Sequence, residues 1–271
     1  EPGAYSEQAL HKYFEGQEID PEGVPCDSLE EVIRLVEKGH APLGIIPVEN
    51  SIGGYVDQSY SLIAKGDVYV VGEVYSRVRH SLLGNKGSEL PEIETVYSHP
   101  QALKQCRDVL LDMKVETHAT YDTAGSAKMV AEKGDKSIAA IASRYAGDKY
   151  GLEVLMEDIQ SSDRNNTRFL LISSEEEGNR VKGQCHKTTV TFDLGDSPGS
   201  LHKCLKPFAE NNVNLTMIRS RPTASGEWGY HFDLELEGHR SDKQVRTALK
   251  KLANIVPDCD VLGSYPQGRR I

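Results

Sequence analysis

The sequence is poor in cysteine and contains no long apolar run. Its five cysteines, at positions 26, 106, 185, 204 and 259, include no CxxC pair. This spacing argues against a zinc site or a disulfide framework and favours a reducing, cytoplasmic location. No apolar run approaches the roughly 20 residues that span a bilayer, so we expect no membrane segment. The first residues lack a signal-peptide pattern, and because the chain begins at glutamate we expect native residues ahead of it to be missing.

Basic residues are also scarce relative to acidic ones. The 31 Lys and Arg are outnumbered by 41 Asp and Glu, which gives a formal net charge of −10. Such a chain repels nucleic acid and anionic membrane surfaces, and the basic pair at 269–270 is expected to be a solvated tail. The sequence contains no GxGxxG or Walker motif, and its spacing reveals no cluster of metal ligands. We therefore expect no cofactor, and any site for an anionic ligand must be built locally.

What the sequence does contain is a regular alternation of short apolar strands with amphipathic helices over roughly the first 175 residues. One helix is predicted from Ser28, which opens a capping box with Glu31. Further helices are predicted over 100–111 and 122–132. The alternating stretch 68–83 predicts one long, bent strand that passes between two lobes. Together these patterns predict an α/β fold with mostly parallel sheets.

A polar linker at 175–179 separates this region from a C-terminal segment of different order. The segment is predicted to contain four strands and two helices in the order βαββαβ, which is the order of a ferredoxin-like domain. The predicted strands cover 187–194, 214–219, 227–237 and 261–265, and the helices begin near 198 and 242.

Three polar stretches lie at the ends of predicted strands, where ligands bind in open α/β sheets, and a fourth lies at the start of a strand. They cover 47–54, 98–102, 121–127 and 165–172. The first has two glycines that allow close backbone approach, and the next two place polar groups at helix starts, which attract anions. Each also has a plainer explanation: Asn50 and Ser51 as turn residues, His99 as an ordinary surface histidine, and Asp122 as a helix cap. The residues alone therefore predict a two-lobed domain that binds a small anion, followed by a ferredoxin-like module.

The last polar stretch has Thr167 and Arg168 at the start of a predicted strand. Because adjacent strand residues face opposite sides of a sheet, these two side chains cannot enter one pocket without a local twist. The plainer explanation is a strand start preceded by asparagine turn residues.

Taken together and in order, these stretches resemble the prephenate dehydratase family. Residues 3–9 are similar to that family's first loop, and 47–51, 98–102 and 122–124 are similar to its pocket segments. The sequence Asn-Thr-Arg-Phe at 166–169 is similar to its signature. The resemblance covers nearly the whole chain, because the family also carries a C-terminal ACT domain.

The resemblance implies a catalytic region of two α/β lobes, similar in architecture to periplasmic binding proteins, in residues 1–176. Lobe one would comprise 1–75 and 160–176, lobe two 76–159, and the ACT domain 185–271. The implied reaction is the loss of carbon dioxide and hydroxide from prephenate, which yields phenylpyruvate for phenylalanine biosynthesis. The protein would hold two carboxylates in the cleft between the lobes and help the ring hydroxyl leave as water.

Thr167 is the residue that the resemblance ties most closely to activity, and we expect it to hydrogen-bond or relay a proton to the departing hydroxyl. Glu49 would orient its neighbours or act as an acid. Arg168 would bind a substrate carboxylate or form a structural ion pair. The remaining implied catalytic residues are Asn50, Ser51, Ser98 and Gln101, and the implied substrate-binding residues are Thr123, Arg168, Phe169 and Ala102.

The ACT domain resembles the family's phenylalanine sensor, with departures in both usual motifs. The sequence Gly-Ser-Leu-His at 199–202 stands where the family commonly has Gly-Ala-Leu-Val. Arg219 stands where the family has a glutamate, and this reversal of charge leaves the sign of regulation open. Such effectors bind at a subunit interface, which implies a dimer or a dimer of dimers. The implied phenylalanine-binding residues are Gly199, Ser200, Leu201, Asn212, Asn214, Leu215, Thr216 and Ser220.

Two other functions fit the same residues. One is the dehydration of arogenate, which carries an amine in place of the keto group of prephenate. The other is a non-catalytic protein that closes its lobes on a small anion or amino acid. A structural dimerisation role without an effector also remains open for the ACT domain.

Overall fold

The computed structural model describes residues 1–176, 184–222 and 229–268, and their strands form three sheets. Within those ranges, no helix has both the length and the apolar character required to cross a membrane. In chain order the strands are β1 (Gly44–Asn50), β2 (Gly54–Tyr55), β3 (Tyr69–Arg77), β4 (Ser81–Gly84), β5 (Thr95–Ser98), β6 (Glu116–Ala119), β7 (Ile138–Ala142), β8 (Glu153–Met156), β9 (Asn166–Ser173), β10 (His186–Gly195), β11 (Leu215–Pro222), β12 (Gly229–Glu237) and β13 (Cys259–Pro266). The α-helices are α1 (Tyr5–Phe14), α2 (Leu29–Glu37), α3 (Ser59–Lys65), α4 (Pro100–Gln105), α5 (Arg107–Met113), α6 (Thr123–Lys133), α7 (Arg144–Tyr150), α8 (Ser200–Glu210) and α9 (Lys243–Ala253), and a 3-10 turn covers Leu90–Glu92.

Lobe one is built on a sheet of order β2-β1-β9-β3, in which every pairing is antiparallel. Strand β9 comes from the end of the first 176 residues and occupies the middle of this sheet. The prediction of mostly parallel sheets is wrong here, because the returning strand runs against both of its neighbours. Side chains of α2 and α3, including Val36 and Ile63, form a core with Ile46 of β1.

Local capping explains why α2 begins where the sequence predicted. Ser28 Oγ accepts a hydrogen bond from the Glu31 amide at 3.2 Å, and the Glu31 carboxylate accepts from the Asp27 amide at 2.9 Å. The helix predicted over 100–111 is divided at Cys106 into α4 and α5. Helix α1 and strand β8 were not predicted; only Ala9 of α1 is buried, so the apolar periodicity of that helix is weak.

Lobe two is built on a sheet of order β6-β5-β7-β4-β8. Strand β5 pairs in parallel with β6 and β7, whereas β4 pairs antiparallel with β7 and β8. The stretch 68–83, predicted as one bent strand, forms β3 in lobe one and β4 in lobe two. Its connecting residues 78–80 run beside the returning segment 157–165, where the Val78 amide donates to the Asn165 carbonyl at 2.8 Å. We call these two adjacent connections the hinge.

The ACT domain has the sheet order β11-β12-β10-β13, with α8 and α9 packed on one face, and this confirms the predicted ferredoxin-like order. Its core contains Phe192 and Leu234 from the sheet with Phe208 and Leu252 from the helices. Residues 227–228 of the predicted third strand and 177–179 of the predicted linker lie outside the described residues.

The other face of the ACT sheet packs against lobe one. Met217, Leu262 and Tyr265 belong to the same apolar core as the lobe-one residues around Ile46. Strand β13 lies so close to β3 that a β-carbon at Gly263 would overlap the backbone carbonyl oxygen of a lobe-one valine. The ACT domain and lobe one therefore share a close interface within one chain, and only glycine at position 263 permits this approach.

Candidate active site

Thr167 and Asn50 lie side by side, where the start of β9 pairs with the end of β1. Asn50 Nδ2 donates to Thr167 Oγ1 at 2.9 Å and to Asn165 Oδ1 at 2.8 Å. The threonine oxygen therefore accepts a hydrogen bond, while its hydroxyl proton finds no acceptor among the described residues. Donation from an amide to a hydroxyl oxygen polarises the O–H bond and makes it a better donor. This arrangement leaves a hydroxyl group able to donate to a ligand.

The loop after β1 fixes the direction of the Asn50 amide. Asn50 Oδ1 accepts from the amides of Ile52 at 3.0 Å and Gly53 at 2.7 Å, so the opposite end of the side-chain amide must be the donor. Ser51 Oγ donates to the Arg164 carbonyl at 2.5 Å and accepts from the Asn166 amide at 2.9 Å. Ser51 thus ties the loop to the residues that precede Thr167.

Lobe two contributes Ser98 and Gln101. Ser98 is fully buried at the end of β5, and its hydroxyl donates to the Ile141 carbonyl at 2.6 Å. Gln101 is exposed in the first turn of α4, and a β-carbon placed on Gly53 would overlap its side-chain nitrogen. The two lobes therefore meet at this point, with the cleft closed over the loop that carries Asn50.

The two helix starts that were predicted to attract an anion are capped by the protein's own side chains. His99 Nδ1 accepts from the Gln101 amide at 3.2 Å, and the Asp122 carboxylate accepts from the Gly125 amide. Thr123 follows as the first residue of α6 and is half-buried. The plainer explanation as a helix cap therefore accounts for Asp122, and His99, expected in its plainer explanation to be an ordinary surface histidine, caps α4.

A chain of hydrogen-bonded side chains, which the sequence analysis missed, runs from the site through the hinge. Asn165 Nδ2 donates to Gln105 Oε1 at 2.9 Å, and the same oxygen lies 2.8 Å from His80 Nε2. The other ring nitrogen of His80 lies 2.9 Å from the Tyr5 hydroxyl. Gln105 could have been found from the sequence, because it lies four residues after Gln101 and so on the same side of a helix. Tyr5, His80 and Asn165 come together only through the tertiary fold.

Comparisons with known proteins show the family of this chain. The family profile of prephenate dehydratase matches residues 1–177, and that of the ACT domain matches residues 188–254. The chain belongs to the prephenate dehydratase family. It is 37% identical over 275 residues to arogenate dehydratase/prephenate dehydratase 2 of Arabidopsis thaliana, covering 97% of this chain and 70% of that protein.

Two further members of the prephenate dehydratase family cover nearly the whole chain. The prephenate dehydratase of Methanocaldococcus jannaschii is 35% identical over 270 residues, which is 97% of this chain and 95% of that protein. The structure of the prephenate dehydratase from Arthrobacter aurescens, solved in complex with L-Phe, superposes with a TM-score of 0.89 at 32% identity. That superposition covers 98% of this chain and 88% of the other.

The residues of the prephenate dehydratase signature alternate across β9. Thr167 faces Asn50, whereas the Arg168 side chain points to the opposite face, where it donates to Glu73 and to Glu235, each at 2.7 Å. The Arg168 side chain is only 4% exposed. This placement favours the ion-pair alternative over binding of a substrate carboxylate.

Three other predicted site residues occupy less direct positions. Phe169 lies in the core of lobe one and Ala102 in the core of lobe two, each 3% exposed, so packing rather than substrate contact explains their side chains. Glu49 is half-buried beside Asn50, at a bulge where the pairing of β1 with β9 shifts between Pro47 and Glu49. Such a bulge re-aims the side chains that follow it.

The residues predicted to bind an effector lie at opposite ends of the ACT sheet. Strand pairing shows this, because Leu194 and Pro222 both pair with Tyr230, whereas Thr188 and Leu215 both pair with Leu236. One group therefore lies beside the end of β10 and the other beside its start, about 16 Å apart for the 11 residues of α8. The first group is Gly199, Ser200, Leu201 and Ser220, and the second is Asn212, Asn214, Leu215 and Thr216.

Two residues of β11 stand out within this region. The Thr216 hydroxyl is buried and has no hydrogen-bond partner in the described parts of the chain. Arg219, which reverses the charge of the family motif, contacts lobe one: it donates to Asp57 Oδ1 at 2.5 Å, and its guanidinium lies 5.1 Å from the centre of the Tyr55 ring. In this chain the altered motif residue therefore connects the ACT domain to the segment that follows the Asn50 loop.

Proposed function

We propose that this protein converts prephenate to phenylpyruvate by concerted loss of carbon dioxide and the ring hydroxyl. The observation that carries the proposal is the Thr167 hydroxyl, whose oxygen accepts from Asn50 and whose proton is left for a ligand. The carbon–carbon bond between the ring and its carboxylate breaks and releases carbon dioxide. Its electron pair completes the aromatic ring as the bond between the ring and the hydroxyl oxygen breaks. The departing hydroxide takes up a proton and leaves as water.

In this mechanism Thr167 donates a hydrogen bond to the leaving oxygen. An isolated threonine hydroxyl is a poor acid. Thr167 therefore contributes as a fixed hydrogen-bond donor that stabilises the negative charge developing on the leaving oxygen. Asn50 holds the hydroxyl, and Ser51 holds the loop against β9. Gln101 and Thr123 are proposed to bind the substrate from lobe two, while the buried Ser98 supports that edge of the cleft.

The assay is product formation by the purified protein. Phenylpyruvate from prephenate is followed by its ultraviolet absorbance in alkali, and phenylalanine from arogenate by amino-acid analysis. Arogenate is included because a 37% identical relative is named for both activities. Faster turnover of arogenate would change the proposed substrate. The absence of both products with folded protein would refute the enzyme proposal in favour of a binding protein.

We further propose that phenylalanine regulates the enzyme at an interface between two ACT domains. The two groups of predicted effector residues lie at opposite ends of one domain, so a single chain cannot bring both to one ligand. Strand β11 is at the edge of the described sheet. A two-fold antiparallel pairing of this edge with a second copy would place one end of each domain beside the other end of its partner.

This regulatory proposal is tested by sedimentation and calorimetry. We expect a dimer, or a dimer of dimers, that binds L-phenylalanine and changes its turnover, with D-phenylalanine as the control ligand. A monomer that binds no phenylalanine would contradict the proposal and favour a structural role for the domain.

A cytoplasmic location and the domain limits given above complete the proposal. All five cysteines, including the exposed Cys185, are unpaired, which fits a reducing compartment.

A further inference from the structure

A cluster of four charged side chains lies on the face of β9 opposite to Thr167. It consists of Glu73, Arg168, Lys187 and Glu235, each no more than 4% exposed, and we call it the buried quartet. Arg168 Nε donates to Glu73 Oε2 and its Nη2 to Glu235 Oε1, both at 2.7 Å. Lys187 Nζ donates to Glu73 Oε2 at 3.0 Å and lies 3.8 Å from Glu235 Oε2. The charges of the two acidic and two basic side chains sum to zero, and each carboxylate contacts both cations.

The buried quartet joins two domains of one chain. Glu73 and Arg168 belong to lobe one, whereas Lys187 and Glu235 belong to the ACT sheet. The Tyr60 hydroxyl donates to Glu235 Oε1 at 2.7 Å, so the acid has partners from both domains. Burial alone would raise the pKa of Glu235, but the Arg168 guanidinium lowers it, which keeps the carboxylate ionised.

Stability alone does not account for such a cluster. Removing charges from water offsets most of the attraction between them, and buried ion pairs can often be replaced by apolar residues without loss of stability. What the arrangement supplies is a fixed geometry, because the planar guanidinium engages two carboxylates at set angles. Arg168 follows Thr167 directly, so the backbone position of the threonine depends on where the guanidinium is held.

We propose that Arg168 is a positioning residue: Glu73 of lobe one and Glu235 of the ACT domain hold its guanidinium, and this fixes the Thr167 hydroxyl against Asn50. The ACT domain is therefore a structural part of the active site even when no effector is bound. The inference rests on the proposed function for its kinetic readout only.

The test is the double variant R168M/E235Q, which removes one positive and one negative charge. The Glu73–Lys187 pair remains, and the glutamine oxygen can still accept from the Tyr60 hydroxyl. The matched control is R221M/D233N. In that pair Asp233 is buried on the ACT sheet and Arg221 is half-buried, with Arg221 Nε donating to Asp233 Oδ2 at 3.0 Å, but none of its described contacts reaches β9.

We expect R168M/E235Q to fold and to lose at least tenfold in kcat, with KM within threefold of wild type, while the control keeps kcat within threefold. Hydrogen exchange in a peptide covering 164–169 should rise in R168M/E235Q and not in the control. Equal losses of kcat in both variants would show general damage to the interface and overturn the proposal, as would a fully active R168M/E235Q.

Two safeguards keep the test decisive. If wild-type protein turns over neither substrate, the proposed function fails but hydrogen exchange still decides the positioning role, and unchanged exchange overturns it. If R168M/E235Q does not fold, R168K replaces it, because lysine keeps the charge but cannot bridge both carboxylates. A fully active R168K variant would then refute the inference.

Discussion

Replacing Thr167 with valine is the most direct perturbation of the site, because it removes one hydroxyl and keeps the shape of the side chain. This substitution should cost little stability. Asn50 Nδ2 keeps Asn165 Oδ1 at 2.8 Å and the Asn166 carbonyl at 3.3 Å as acceptors, so no donor is left unpaired. We therefore expect the free energy of unfolding to fall by about 1 kcal/mol or less.

The expected effect on catalysis is larger. A preorganised hydrogen-bond donor that stabilises developing negative charge contributes about 10²–10³ in rate, which corresponds to about 2.7–4 kcal/mol in the activation barrier. Steady-state assays should therefore show kcat reduced by about 100-fold or more in Thr167→Val. Thr167→Ser keeps the hydroxyl and should retain most activity. Urea unfolding of each variant measures the stability change separately.

The matched control is Thr247→Val on α9, where the hydroxyl donates to the Lys243 carbonyl of its own helix at 2.7 Å. This change removes a comparable hydrogen bond far from the cleft and should leave kcat unchanged. If Thr167→Val keeps kcat within about threefold of wild type, the assignment of Thr167 as the donor is refuted.

Three further predictions concern cleft closure, pH and the interdomain contact. Gly53→Ala should raise KM several-fold, because its β-carbon would displace the end of the flexible Gln101 side chain of lobe two and would also lie 3.3 Å from Asn50 Oδ1. Gly195→Ala is the control, because Gly195 has open space around it and ordinary backbone angles. Equal KM values in the two variants would contradict the closed cleft. Burial lowers the pKa of His80 below its ordinary 6.5, so as the pH falls the imidazole is protonated in the unfolded chain before it is protonated in the folded one. The free energy of unfolding should therefore decline as the pH falls below about 6.5. Denaturant titrations of His80→Gln should show a flatter decline, and an unchanged pH dependence would contradict the role of His80. Arg219→Glu should destabilise the protein by roughly 1 kcal/mol or less, since Asp57 is largely exposed, and adding Asp57→Arg should restore part of that loss in a double-mutant cycle; simple additivity would show that the pair is not coupled.

Local patterns in the sequence predicted the helices and strands that are determined by residues next to them in the chain. The capping residues around Ser28 lie next to the helix that they start, and the βαββαβ order of the ACT domain follows from alternation and turn residues along the chain. The polar stretches that hold Asn50 and Thr167 could be recognised because each is contiguous. The weak periodicity of α1 and the break of the helix at Cys106 could not be recognised in this way.

The sequence by itself therefore determined the family, the ferredoxin-like module and the polar stretches that contain the candidate site residues. Only the tertiary structure decided that β9 lies between β1 and β3, because strand neighbours are chosen by contacts between residues more than 90 positions apart, such as Ser76 with Thr167. That choice places Asn50 beside Thr167 and directs Arg168 toward the ACT domain. It also brings Gln105 and Asn165 together at the hinge, which no local pattern specifies.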